Sequence, residues 1–232
     1  MEIKGFMKTS MLDYPGKIAS VIFLPKCNFH CPYCHNKELV LDDPRLMPFE
    51  EEKVFEYLNE KKKWIDGVVI SGGEPTLHVG IINICKRLKE MGFKVKLDTN
   101  GTNPKMLKEL IDKKFVDYVA MDIKSSKDKY EKATSVKVNI EAVDESIQLL
   151  KKDLVEYEFR TTVLPGLVDE EDMPKIGEWL KGAKQYYIQQ FVPIKTLNES
   201  YMTKEPHTHD SLHKMKDSVS PYVEFCAIRG AS

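Results

Sequence analysis

Several features are missing from this 232-residue chain, and each absence excludes something. The opening MEIKGFMKTS has no apolar core of the kind a secretory leader needs. The longest apolar-rich run, Ile18–Leu24, falls far short of the roughly 20 residues that cross a bilayer. No membrane is expected, and the expected compartment is the reducing cytoplasm. An excess of one charge is missing too: Lys+Arg number 35 and Asp+Glu 36, a formal net charge of −1. Such a chain has no general field for a polyanion, so nucleic acid is not an expected partner. Low-complexity segments, linker-like stretches and close repeats are absent, which makes one domain over residues 1–232 the simplest reading. There is no Ser/His/Asp arrangement, and no glycine-rich phosphate turn follows the first apolar run.

What is present is a rhythm of strands and helices. Short β-branched runs at Ile18–Leu24, Gly67–Ser71, Phe93–Thr99, Val116–Ile123, Tyr157–Leu164 and Tyr186–Val192 read as buried strands. Helical spacing falls between them. Phe49–Lys63 is entered through Pro48. Ile81, Ile84, Cys85 and Leu88 form a stripe that stops at Gly92. Asn103 and Pro104 make an N-cap and first-turn pair, and further stripes run through Ile140–Leu150 and Pro174–Leu180. Strands separated by helices imply a parallel sheet with right-handed crossovers. The fold class expected is α/β, a partial (β/α)6 TIM-like barrel. Its core covers about residues 16–195, with a C-terminal extension over about 196–232. A full barrel of this kind takes ~250 residues, so an incompletely closed one is expected, with a lateral gap wide enough for a polypeptide.

Three of the five cysteines, Cys27, Cys31 and Cys34, fall within eight residues. Three is an odd number for disulfides and one short of a closed tetrahedral zinc site. Thiolates on one loop select an iron–sulfur cluster, zinc or copper(I). His30 or His35 would complete a zinc site; Cys85 or Cys226 would complete a four-cysteine cluster. Cys85 lies on an apolar helix stripe and Cys226 in VEFCAI, and both read as buried hydrophobes. That leaves a cluster with one iron lacking a protein ligand.

Barrels of β/α units carry their chemistry at the C-terminal ends of strands. The cysteine loop follows the first predicted strand and SGGEPT (Ser71–Thr76) the second. DTNG (Asp98–Gly101) and MDIK (Met121–Lys124) close the third and fourth. Arg160 lies in the fifth, and Gln189 and Gln190 in the sixth. Gly72 and Gly73 would let backbone approach a ligand closely. The C-terminal His207, His209 and His213 read as surface residues.

Together these motifs resemble the radical S-adenosylmethionine (radical SAM) superfamily: Cys27-x3-Cys31-x2-Cys34, with Tyr33 before the last cysteine and GGE after the next strand. YCHN, GGEPTL, DTNG and MDIK are similar to the glycyl-radical-enzyme activating enzymes. Lys8–Asn36 and the ending IRG (Ile228–Gly230) are most similar to the activating proteins of anaerobic ribonucleoside-triphosphate reductase. The resemblance implies a 4Fe–4S cluster on Cys27, Cys31 and Cys34, with SAM chelating the open iron. Reductive cleavage then yields a 5′-deoxyadenosyl radical, which takes hydrogen from a glycine Cα of a partner enzyme. A flavodoxin or ferredoxin is the implied electron donor. Tyr33, Cys34 and His35 would flank the adenine, and Gly73 and Glu74 would hold the methionyl amino group. Asn100, Asp122, Ile123 and Lys124 would line the remainder, with Arg160 near the carboxylate. Asp98, Thr99 and Asp122, with the Ala120 carbonyl, match a monovalent-cation site. Where the family has a strand-six histidine on SAM, this chain offers Gln189 or Gln190. The absence of a second cysteine cluster sets the chain apart from peptide-modifying relatives that carry auxiliary clusters. Two other readings share some of these features: a carboxy-deazaguanine synthase-like enzyme acting on a small molecule, and a non-catalytic iron–sulfur electron carrier.

Overall fold

The computed structural model describes residues 2–230. Eight strands form one sheet in chain order: β1 (Gly5–Ser10), β2 (Ala19–Leu24), β3 (Gly67–Gly72), β4 (Lys94–Thr99), β5 (Tyr118–Asp122), β6 (Glu156–Val163), β7 (Gln185–Gln190) and β8 (Phe225–Arg229). β1 runs antiparallel to β2, and all later neighbours are parallel. The helices are α1 (Lys37–Val40), α2 (Glu51–Glu60), α3 (Ile81–Glu90), α4 (Pro104–Asp112), α5 (Tyr130–Thr134), α6 (Ile140–Leu150), α7 (Met173–Trp179) and α8 (His209–Val219). β1 and β8 are the two edges of the sheet, so the barrel is partial. Among the described residues, no helix is long and apolar enough to cross a membrane.

The expected rhythm is observed as β2 to β7, and two more strands extend it. β1 is a half-exposed edge with no buried run, and β8 is five residues long and at most half buried. Neither carries the continuous apolar signal of a central strand. Local chemistry sets the helix starts, as expected at Asn103 and, unforeseen, at Asn139. The Asn103 Oδ1 accepts the Met106 N–H at 3.2 Å, and the Asn139 Oδ1 accepts that of Ala142 at 3.1 Å. Gly92, at φ +87°, turns the chain out of α3. α8, in the C-terminal extension, was not anticipated; it buries Leu212, Met215 and Val219 at helical spacing. His209 and His213 are exposed on it. His207 is not a surface residue: its side chain is 10% exposed, and its Nε2 lies 2.9 Å from the Val168 carbonyl.

The sheet has two unlike faces, as the period of two requires. One face packs Val68, Ile70, Val95, Leu97, Val119, Phe159 and Ile188 into the main core beneath the helices. The alternate residues face the lumen. Ala19, Val21, Val69 and Ala120 are small, and the rings of Tyr14 and Tyr118 plug the N-terminal end 5.9 Å apart. Above them the lumen is ionic. Glu158 is 1% exposed and accepts both Arg229 guanidinium nitrogens at 2.7 and 2.8 Å and the Tyr118 hydroxyl at 2.9 Å. Arg229 also lies 3.3 Å from the Tyr187 ring centroid. The arginine of the terminal IRG thus fastens the edge strand β8 into the barrel.

Candidate active site

The cysteine loop leaves β2 at Leu24 and is pinned from several elements. The Lys26 N–H donates to the Leu39 carbonyl at 2.7 Å, and the His30 N–H to that of Thr134 at 2.9 Å. The Asn198 N–H, from beyond β7, donates to the Pro32 carbonyl at 2.9 Å. The Asn36 amide donates to the Gly72 carbonyl at 3.2 Å, and the His78 Nε2 sits 2.7 Å from that of Pro25.

Gly72 and Gly73 serve this loop directly. The Gly73 N–H donates to the Leu24 carbonyl at 2.9 Å, and the Glu74 N–H to that of Lys26 at 2.8 Å. A Cβ on Gly73 would lie 1.9 Å from the Lys26 oxygen, and one on Gly72 would lie 2.2 Å from that of Leu24. The close approach that these glycines permit is between the end of β3 and the backbone leading into Cys27.

Glu74 is 1% exposed. Its Oε1 accepts the Thr76 N–H at 3.0 Å, the Thr76 hydroxyl, and the Thr99 hydroxyl at 2.7 Å. Its Oε2 accepts the Asn100 N–H at 2.6 Å. Burial pushes its pKa up, against the pull of these donors. The carboxylate therefore ties the end of β3 to the end of β4. Asn100 in turn holds the cysteine loop. Its Nδ2 donates to the Asn28 Oδ1 at 2.8 Å and lies 3.9 Å from the Cys27 Sγ.

Charges from β4, β5 and β6 meet beside it. The Asp122 Oδ1 accepts the Arg160 Nε at 2.9 Å, and its Oδ2 accepts the Lys124 Nζ at 2.8 Å. Burial alone would raise the Asp122 pKa, but the two cations outweigh it and hold the carboxyl near pH 2. Burial would likewise lower Lys124, and Asp122 outweighs that, so the ammonium is held well above its usual range. The Asp98 Oδ1 accepts the Lys96 Nζ at 2.5 Å and lies 3.6 Å from the Arg160 Nη1. Its Oδ2 accepts the Ser71 hydroxyl at 3.1 Å.

One cavity of about 430 Å³ gathers these groups. Cys27, Cys31, Tyr33, Cys34 and His35 line it from the loop, and Gly73 and Glu74 from the end of β3. Asp98, Thr99, Asn100, Asp122, Lys124, Arg160 and Gln189 complete the wall. Ile123 is elsewhere, fully buried in the core beneath the helices. Gln190 also turns away, its Nε2 donating to the His207 carbonyl at 2.7 Å. Asp13 on the cavity wall and Lys96, which supports Asp98 from behind it, were not anticipated. A signal existed for Lys96: a lysine inside a buried strand, two residues before an aspartate, shares its face.

The thiol arrangement suits a polynuclear cluster. Burial pushes Cys27 up to about 12, Cys31 to about 11, and Cys34 upward, while the Lys124 ammonium draws all three back. Among the described residues, one acidic or thiol group has all its ligand atoms within 4.8 Å: Asp169, Glu171 and Asp172. Lys129 sits on all three, at 3.6, 2.9 and 2.8 Å. Three cysteines lining one cavity suit a cluster in which each sulfur binds its own iron. His30 is exposed, and the His35 Nε2 sits 2.8 Å from the Val192 carbonyl, so neither is poised as a fourth zinc ligand.

The family model for the radical SAM superfamily matches residues 21–180, which span β2 to α7. The chain belongs to the radical SAM superfamily. It is 38% identical, over 98% of its length and 95% of the relative, to a Methanocaldococcus jannaschii protein provisionally named a glycyl-radical enzyme activating enzyme. It is 31% identical to the pyruvate formate-lyase-activating enzyme of Streptococcus mutans, over 81% of this chain and 75% of that one. Two solved structures share the fold. A domain of a pyruvate-formate lyase-activating enzyme from Bacteroides vulgatus has a TM-score of 0.55 at 20% identity, over 71% of this chain and 99% of that one. Streptococcus suis SuiB bound to S-adenosylmethionine has a TM-score of 0.66 at 14% identity, over 90% of this chain and 52% of that one. This radical SAM protein is therefore an enzyme whose family uses a 4Fe–4S cluster and SAM.

Proposed function

We propose that this radical SAM protein activates a glycyl radical enzyme, with anaerobic ribonucleoside-triphosphate reductase as the partner. The observation that carries the reading is the convergence of three cysteine thiols, the Gly73–Glu74 turn and the Asp122–Lys124–Arg160 charges on one cavity. Cys27, Cys31 and Cys34 hold the cluster. When bound, the reduced cluster would supply the one electron that splits SAM into methionine and a 5′-deoxyadenosyl radical able to take hydrogen from a glycine Cα of the partner.

The chain's own residues position the ligand. The ring of His35 lies 6.1 Å from that of Phe191, and together with Tyr33 and Cys34 it forms the wall for the adenine. Backbone at Gly73 and the carboxylate of Glu74 receive the methionyl ammonium, the Oε2 with its single donor being the available oxygen. Lys124 and Arg160 meet the carboxylate end, and Gln189 stands on β7 where the strand-six contact is expected. The unpaired edges β1 and β8 leave the barrel open for a polypeptide, and a flavodoxin or ferredoxin supplies the electron.

The partner is tested by EPR. Incubated anaerobically with SAM, reductant and candidate glycyl radical enzymes, the protein should raise a glycyl doublet on the reductase. A doublet on pyruvate formate-lyase instead, or on no candidate, contradicts the assignment.

A further inference from the structure

Sequence resemblance places a monovalent cation beside Asp98, Thr99, Asp122 and the Ala120 carbonyl, and the groups present do not fit one. We propose that the Lys96 ammonium takes the place of that ion, so that this site positions its ligand without sodium or potassium. The inference rests on the functional reading above only for the identity of the ligand.

Lys96 lies inside β4 with a side chain 2% exposed. An ammonium removed from water must find a counter-charge, and its Nζ lies 2.5 Å from the Asp98 Oδ1. Alternation along β4 puts Lys96 and Asp98 on the lumen face, and Asp98 is in register with Ala120. The pair thus stands beside the backbone expected to supply an ion ligand. The other expected ligands are committed too. Asp122 holds Arg160 and Lys124, at 2.9 and 2.8 Å. The Thr99 hydroxyl donates to Glu74 at 2.7 Å. Both carboxylates expected to bind the ion already face a cation, Asp98 that of Lys96 and Asp122 those of Lys124 and Arg160, and Glu74, beside Thr99, is a third carboxylate of the wall. A hard cation seeks oxygens whose negative charge is uncompensated, and those of Asp98 and Asp122 are compensated already. A lysine brings the same single charge on a tether, so it neither dissociates nor responds to the salt present.

The test uses the reconstituted holoenzyme, wild type and Lys96→Met, in potassium, sodium or choline chloride at constant ionic strength. The SAM dissociation constant is measured by anaerobic equilibrium dialysis. Wild-type affinity should agree within about twofold in all three salts, whereas Lys96→Met should bind about tenfold more weakly in choline and recover in potassium or sodium. Thermal melting without SAM is the second readout. Wild-type melting should be indifferent to the cation, and that of Lys96→Met should rise with potassium or sodium. Because melting needs no SAM, it separates failure of this inference from failure of the functional reading. Wild-type affinity or melting that rises clearly with potassium or sodium over choline overturns the proposal. So does a Lys96→Met protein that binds normally and ignores the cation. If Lys96→Met does not fold, the wild-type salt series decides, with Lys96→Arg, expected to remain cation-indifferent, as the second variant.

Discussion

Replacing any one of Cys27, Cys31 or Cys34 with Ala lowers SAM cleavage by more than about 10³-fold, because the reaction loses its proximity as well as its electron source. Each sulfur has its own position on the loop, so no neighbour can cover for a missing one. Cys85 is fully buried on the core face of α3, and Cys226 lies on β8 against the core. Neither lines the cavity. Cys85→Ala and Cys226→Ala should therefore keep the cluster, measured as iron per chain and as visible absorbance after anaerobic reconstitution. Stoichiometric zinc without iron in the wild type, or full activity in a loop variant, contradicts the ligand assignment.

Gly73→Ala should be severely damaging for the addition of a single methyl group. Its Cβ would stand 1.9 Å from the Lys26 carbonyl oxygen, which is backbone and cannot swing aside. Either β3 parts from the segment entering Cys27 or the loop shifts, and the Gly73–Leu24 and Glu74–Lys26 hydrogen bonds go with it. Overpacking typically costs ~1–3 kcal/mol, and a clash with backbone belongs at or above the top of that range. Gly182→Ala is the control. Gly182 has φ +82° with nothing within 4 Å of its Cβ, so it tests conformation alone, at about 1 kcal/mol. Urea melts and iron loading should separate the two: Gly182→Ala loads normally, and Gly73→Ala loads poorly. Normal loading by Gly73→Ala would show that the close approach is not what holds the loop.

Much of this was legible in the residues because strong local signals and chemistry coincide. Buried parallel strands announce themselves as β-branched runs, and motifs at their C-terminal ends must share a rim. Asn103 caps its helix because a short amide beside the first turn can do little else. Less legible were features settled across the barrel. β1 and β8 are strands by pairing, not by apolar content. The role of Glu74 as a tie between β3 and β4 depends on Thr76, Thr99 and Asn100 arriving around it. Lys96 could be taken for a solvated lysine in FKVKLDT until the lumen closed over it. Ile123 shows the limit of carrying over a run of residues: one position of alternation puts its side chain in the core instead of the cavity.

The most direct test follows a deuterium atom. The reductase is prepared with Cα-deuterated glycine and incubated anaerobically with this protein, SAM and reductant, and the 5′-deoxyadenosine released is analysed by mass spectrometry. The account predicts one deuterium transferred per glycyl radical formed, with transfer lost in Cys31→Ala and Lys124→Ala. Unlabelled 5′-deoxyadenosine formed at full coupled rate on a small metabolite, with no protein partner present, would contradict it.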